Sequence, residues 1–219
     1  MSGPAAVVFD NDGLLLDTEL AWTRAEETLF ARRGRAFTAE LKRELIGSSR
    51  EVAAGKLERW LEAPGTGLAL MDELHELVME EARTDVPPRP GALELLAALR
   101  AARIPIGLAS NSSSDFLERT LHAAGLDGDA SPFAAIVSAD QVAAAKPAPD
   151  VYLEACRRLG HAPGDCVALE DSPPGVLAAA AAGMFVIGVP YFADGELPGA
   201  SLLAGSLADA AVHRALGLA

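Results

Sequence analysis

The run Val7-Val8-Phe9-Asp10-Asn11-Asp12-Gly13-Leu14-Leu15-Leu16-Asp17 combines an unbroken apolar stretch with two acids spaced two apart and a glycine directly after them. A continuous β-branched and aromatic run reads as a strand buried on both faces, the kind found in parallel sheets. Carboxylates at the end of such a strand are costly to desolvate unless they are paired or hold a metal. The stretch therefore predicts both a fold and a site at its edge.

Four further runs read as buried strands: Pro105–Ser110, Ala135–Ala139, Cys166–Glu170 and Phe185–Val189. Helical patterns separate them at Gly91–Ala102, Asp115–Ala124, Asp150–Leu159 and Pro173–Ala182. Ser112 with Asp115 has capping-box spacing, so Ser112 is expected to cap its helix; Ser172 is expected to cap the helix that stops at Gly183. Strand alternating with helix predicts an α/β fold whose parallel sheet is covered on both faces. One interval departs from this rhythm. Residues 18 to 88 carry helical stretches at Thr18–Arg33, Thr38–Ile46, Ser49–Glu62 and Leu68–Arg83, with no convincing strand. The Pro-rich segment Asp85–Pro90 reads as a stiff return. The expected organisation is a core domain of residues 1–17 and 88–219 with an inserted helical domain of residues 18–87. An insert springing from the strand that carries Asp10 and Asp12 is placed to act as a lid.

Composition narrows the function. Half of the 219 residues are apolar and 22% are charged, which is globular. A net charge of −13 argues against a nucleic-acid footprint and against binding to an anionic membrane. The two cysteines, Cys156 and Cys166, form no disulfide framework or metal-ligand spacing, and Cys166 reads as a buried thiol. No basic region precedes the first apolar run, and the longest apolar run, Gly175 to Pro190, is too short for a span. A cytoplasmic protein with no membrane and no obligate protein partner is expected.

Open parallel sheets bind ligands beyond the carboxyl ends of their strands. There the chain offers Asp10 and Asp12, then Ser110-Asn111-Ser112, then Lys146, then Glu170-Asp171. In extended chain, residues two apart point the same way and stand roughly 6–7 Å apart, so Asp10 and Asp12 could flank one reacting group. Clustered carboxylates repel, and a hard cation such as Mg²⁺ resolves the repulsion. The cation and Lys146 would then neutralise an incoming phosphoryl group, while Ser110 and N–H groups at a helix start could cradle its oxygens.

The ordered set FDNDGLLLDTE, LASNSS, AAAKPAPD and ALEDSPPGVLAAAAAGM resembles the four motifs of the haloacid dehalogenase superfamily, and with the helical insert the resemblance covers nearly the whole chain. The insert's position is similar to the α-helical cap of the group containing β-phosphoglucomutase, phosphoglycolate phosphatase and sugar-phosphate phosphatases. The resemblance implies a Rossmann-like α/β core and Mg²⁺-dependent hydrolysis of a small phosphorylated metabolite. It implies Asp10 as nucleophile and Asp12 as general acid, then base. Mg²⁺ would rest on Asp10, the Asp12 carbonyl and Asp171, with Glu170 direct or through water. Ser110, the Asn111 backbone and Lys146 would hold the phosphate. The second acid argues against a true dehalogenase.

Two residues of the insert stay open. Arg50, in Gly47-Ser48-Ser49-Arg50, either grips the substrate or belongs to a structural loop, since Ser48 and Glu51 also fit a capping box. Trp22 replaces the histidine of many sugar-phosphate members; it either stacks on substrate or packs with Ala25 and Leu29. Mutases of this group use a cap lysine, and the stretch LALMDELHELVMEEAR contains none, which favours a hydrolase over a β-phosphoglucomutase-like mutase. A phospho-receiver module is a more distant alternative, because those carry the phosphorylated aspartate after the third strand and lack an insert.

Overall fold

A computed structural model describes residues 3–46, 48, 50–83 and 86–218. The chain divides into two compact units, Met1–Asp17 with Pro87–Ala219, and Thr18–Val86. The first strand, β1 (Ala6–Phe9), opens the larger unit. The smaller unit follows with α1 (Glu19–Ala31), α2 (Ala39–Leu45), α3 (Arg50–Leu61) and α4 (Gly67–Glu81). The chain then returns through α5 (Ala92–Ala101), β2 (Ile106–Ala109), α6 (Ser114–Ala123), β3 (Ala135–Val137) and α7 (Asp150–Leu159). It ends with β4 (Cys166–Glu170), α8 (Pro173–Ala181), β5 (Phe185–Gly188), β6 (Leu202–Leu203) and α9 (Ala210–Ala215).

The six strands form one sheet in the order β3-β2-β1-β4-β5-β6, and every pairing is parallel. Central β1 registers Val7 against both Ile106 of β2 and Val167 of β4. Every residue of β1, β2 and β4 is buried, as their unbroken apolar runs require. The pleat sends Ala6 and Val8 into one core cluster with Val151, Tyr152 and Ala155 of α7 and Val176 and Ala179 of α8. Val7 and Phe9 point to the opposite face. The chain leaves β1 towards β2 on one side and meets β4 on the other, so the crevice for a ligand lies beyond β1.

The two connections to the helical unit run side by side within the larger unit. Asp17 N–H donates to Pro87 O at 2.8 Å and Arg89 N–H to Leu15 O at 2.9 Å, with an antiparallel bridge between Leu16 and Pro88. Arg89 also lies over the Tyr191 ring at 4.5 Å, and the Tyr191 hydroxyl donates to Asp17 Oδ1 at 3.0 Å.

In the helical unit α4 packs against both α1 and α3. Ala21, Ala25 and Leu29 of α1, Leu57 and Leu61 of α3, and Leu70, Leu74 and Val78 of α4 are its buried residues at helical spacing. Gly47 and Ser49 of the insert's loop and Asp85 of the return segment lie outside the described residues.

Besides shifts of a residue or two at element ends, such as β3 stopping at Val137, two details differ from the sequence reading. The cap of α6 is Ser113, whose hydroxyl accepts from Phe116 N at 3.4 Å, so Ser112 is not the cap; the helix begins at Ser114, one residue later than a cap at Ser112 requires. Strand β6 and helix α9, of two and six residues, are too short to carry a readable period. Among the described residues no helix is long and apolar enough to cross a membrane.

Candidate active site

The strand ends deliver their polar residues to one rim. Asp10 continues β1, its N–H donating to Leu169 O of β4 at 3.0 Å, and Ser110 continues β2, donating to Val137 O of β3 at 3.0 Å. Glu170 is the last residue of β4. These are carboxylates and a hydroxyl at the ends of wholly buried strands, so all three are themselves buried. Asp12 follows after Asn11 and Gly13 turns the chain.

Lys146 reaches this rim from the loop before α7 and is 8% exposed. Its loop is pinned by the Asn111 side chain, whose Nδ2 donates to Lys146 O at 3.1 Å and whose Oδ1 accepts from Lys146 N at 2.7 Å. The ammonium donates to Asp10 Oδ1 at 2.5 Å, Glu170 Oε1 at 2.6 Å and Ala109 O at 2.9 Å. Three donors have three acceptors, so a lysine can be buried here. Burial alone would lower its pKa, but the charges of Asp10 and Glu170 hold it above the ordinary lysine range.

Glu170 is surrounded by donors. Its Oε1 also accepts from the Tyr152 hydroxyl at 2.5 Å, and its Oε2 from Asp171 N, Ser172 N and Ser172 Oγ at 3.1, 3.4 and 3.2 Å. Burial holds the Tyr152 phenol well above its usual pKa, reinforced by the charge of Glu170. Asp10 is raised above the carboxylate range, first by burial and then by Glu170 and Asp12, with Lys146 opposing.

Two glycines make room for these acids. Gly13 has φ +82°, and a Cβ there would run into the Asp171 carboxylate; a Cβ on Gly175 would run into that of Glu170. The turn at Gly13 and the first turn of α8 at Gly175 are thus each also a seat for an acid.

Asp10, Glu170 and Asp171 offer carboxylate oxygens all within 4.8 Å of one another. Asp10 and Glu170 are buried and Asp171 is half-buried, and Lys146 pairs with the first two. An all-oxygen set of three carboxylates fits a hard divalent cation. Asp12 stands beside it, its Oδ2 accepting from Ser110 Oγ at 2.9 Å and Ser112 Oγ at 2.8 Å.

The structure thus brings together Asp10, Asp12, Ser110, Asn111, Lys146, Glu170 and Asp171. Arg50 and Trp22 belong to the helical unit. Arg50 opens α3 and pairs with Asp72 of α4 at 2.5 Å; Trp22 is half-buried on α1. Sequence reasoning missed Tyr152, which falls on the apolar face of α7 and looks like core. It also missed the grip of Ser112 on Asp12 and of the Asn111 side chain on the Lys146 loop, because the partners are distant in sequence.

The model of the haloacid dehalogenase-like hydrolases matches residues 4–183. The chain belongs to that family. A probable pseudouridine-5'-phosphatase of Drosophila melanogaster is 36% identical over 191 residues, covering 84% of this chain and 80% of the relative. The CbbY structure from Rhodobacter sphaeroides in complex with phosphate superposes with a TM-score of 0.77 at 31% identity, covering 94% of this chain and 96% of that one. A putative β-phosphoglucomutase from Thermotoga maritima gives 0.76 at 31% identity, over 91% of this chain and 93% of that one. This hydrolase is a phosphatase-type enzyme with the Rossmann-like parallel sheet of its family.

Proposed function

We propose that this hydrolase cleaves small phosphate monoesters with Asp10 as nucleophile, Asp12 as acid and base, and Mg²⁺ as cofactor. The observation that carries the reading is the buried Asp10–Lys146–Glu170 cluster at the ends of β1 and β4, with half-buried Asp171 and Asp12 beside it. Asp10, Asp171 and the Asp12 carbonyl would hold the ion, with Glu170 direct or through water. When bound, Mg²⁺ supplies the positive charge that lets an anionic carboxylate approach an anionic phosphoryl group.

The chain's own residues do the rest. Ser110, the Asn111 N–H and Lys146 hold the phosphoryl oxygens. Asp10 attacks phosphorus, the P–O ester bond breaks, and Asp12 gives its proton to the departing alkoxide. Water then attacks the aspartyl-phosphate, Asp12 takes the water's proton, and inorganic phosphate leaves with Asp10 restored. The substrate is a small phosphorylated metabolite of the cytoplasm, the class to which pseudouridine 5'-phosphate belongs.

The likeness to a β-phosphoglucomutase structure supports a second reading as a sugar-phosphate mutase. Helix α4 carries no lysine for a second phosphate, which favours hydrolysis. Phosphate release from a panel of sugar, nucleotide and organic-acid phosphates, with Mg²⁺ and with a chelator, tests the proposal. Mg²⁺-dependent release is expected. Isomerisation that depends on glucose 1,6-bisphosphate, without release, would replace it with the mutase.

A further inference from the structure

We propose that Ser112 is a positioning residue for the carboxylate of Asp12, an inference that rests on Asp12 being the general acid. The Ser112 hydroxyl donates to Asp12 Oδ2 at 2.8 Å, across a sequence separation of 100 residues. It has no duty as a helix cap, because Ser113 fills that role. Asp12 has two other side-chain partners: Ser110 Oγ on the same oxygen at 2.9 Å, and Asn11 Nδ2 on Oδ1 at 3.2 Å.

The two serines are not equivalent. Ser110 Oγ also accepts from Ser112 N at 2.9 Å, and its hydroxyl has one proton to donate. In the proposed reaction that proton turns to a phosphoryl oxygen, so Asp12 Oδ2 keeps only Ser112. Oδ2 accepts from Ser112 whether Asp12 is a carboxylate or carries its proton on Oδ1, so Ser112 can hold Asp12 both before and after the Oδ1 proton passes to the leaving oxygen. Asn11 Nδ2 donates at the longer 3.2 Å to Oδ1, the oxygen left to carry that proton. An acid held within reach of the leaving oxygen contributes roughly 10²–10⁴ in rate, and loss of orientation forfeits part of it.

The test compares leaving groups, because p-nitrophenolate departs without protonation and an alkoxide does not. kcat/KM, which covers the steps through ester cleavage, is measured with Mg²⁺ on p-nitrophenyl phosphate, phenyl phosphate and glycerol 1-phosphate. Ser112→Ala is expected to lower kcat/KM about 10- to 100-fold for glycerol 1-phosphate, less for phenyl phosphate, and under about threefold for p-nitrophenyl phosphate. Ser112→Thr, which keeps the hydroxyl, is expected within about threefold of the parent throughout. An equal loss on every ester, no loss on glycerol 1-phosphate, or a threonine variant no better than alanine would overturn the proposal. Melting temperatures recorded alongside separate misfolding, which lowers all esters together with stability. Asp12→Asn in the same series distinguishes the two layers. If it is fully active, the acid itself is misassigned; if it splits the esters and Ser112→Ala does not, only the role of Ser112 fails.

Discussion

Two lysines in this protein each sit between two carboxylates. In the sheet unit Lys146 bridges Asp10 at 2.5 Å and Glu170 at 2.6 Å; in the helical unit Lys42 bridges Glu19 at 2.7 Å and Glu26 at 2.9 Å. In each, burial raises one acid, Asp10 at the rim and Glu26 on α1, where the pKa is pushed to about 7. The difference lies in the surroundings. Asp171 joins the first cluster as a third carboxylate, with Asp12 and two hydroxyls beside it, all on chain segments that leave buried strands. The second cluster has one ammonium for two acids on helices, and among the described residues no third acid completes a metal-holding group there. A buried ion pair is therefore weak evidence of function by itself. A third carboxylate within metal-holding distance, at a strand-end crevice, is what marks the first as a site.

Removing one charge from each cluster separates them most sharply. Asp10→Asn keeps an acceptor for Lys146 but is expected to lower phosphate release on the order of 10⁴-fold or more; parental turnover would end the nucleophile assignment. Glu26→Gln is expected to leave turnover per folded molecule within about threefold and to change stability instead. Between pH 4.5 and about 7 the folded Glu26 keeps a proton that the unfolded chain has released, so rising pH favours unfolding. Stability falls through that window by on the order of 3 kcal/mol from this group, and Glu26→Gln should flatten that part of the urea-unfolding profile. An unchanged slope would mean that Glu26 titrates normally.

Mg²⁺ sharpens the contrast further. At about 100 times its dissociation constant it should stabilise the parent by about 2.7 kcal/mol, read as a rise in melting temperature. Asp171→Asn should lose most of that rise and Glu19→Gln none; equal losses would erase the distinction between the clusters. The smallest effect is expected at Arg50, exposed and paired with Asp72. Arg50→Ala should raise KM a few-fold with kcat held if it grips substrate, and change neither if it only ties α3 to α4.

Sequence alone determined the strands of the core, the helical insert and the residues at the strand ends. Those features depend on local information: apolar runs of strand length, capping residues, and acids placed where a buried run stops. Cys166–Glu170 and Asp150–Leu159 are read to the residue for that reason. Short elements such as Leu202–Leu203 escape, since two residues have no period.

Tertiary structure decided which partner each polar atom takes. Tyr152 reads as core from its helix face, yet its hydroxyl ends on Glu170 because α7 packs across β1, β2 and β3 and brings it beneath the rim. Asn111 reads as a backbone contact, yet its side chain fastens the Lys146 loop. Gly13 reads as a turn residue, and only the fold reveals that the space of its missing side chain is taken by Asp171. Sequence period reports which face of an element is buried. It carries no record of which distant donor meets which acceptor, because hydrogen-bond partners are chosen by directional contacts a few ångströms long that exist only after the strands have been laid side by side.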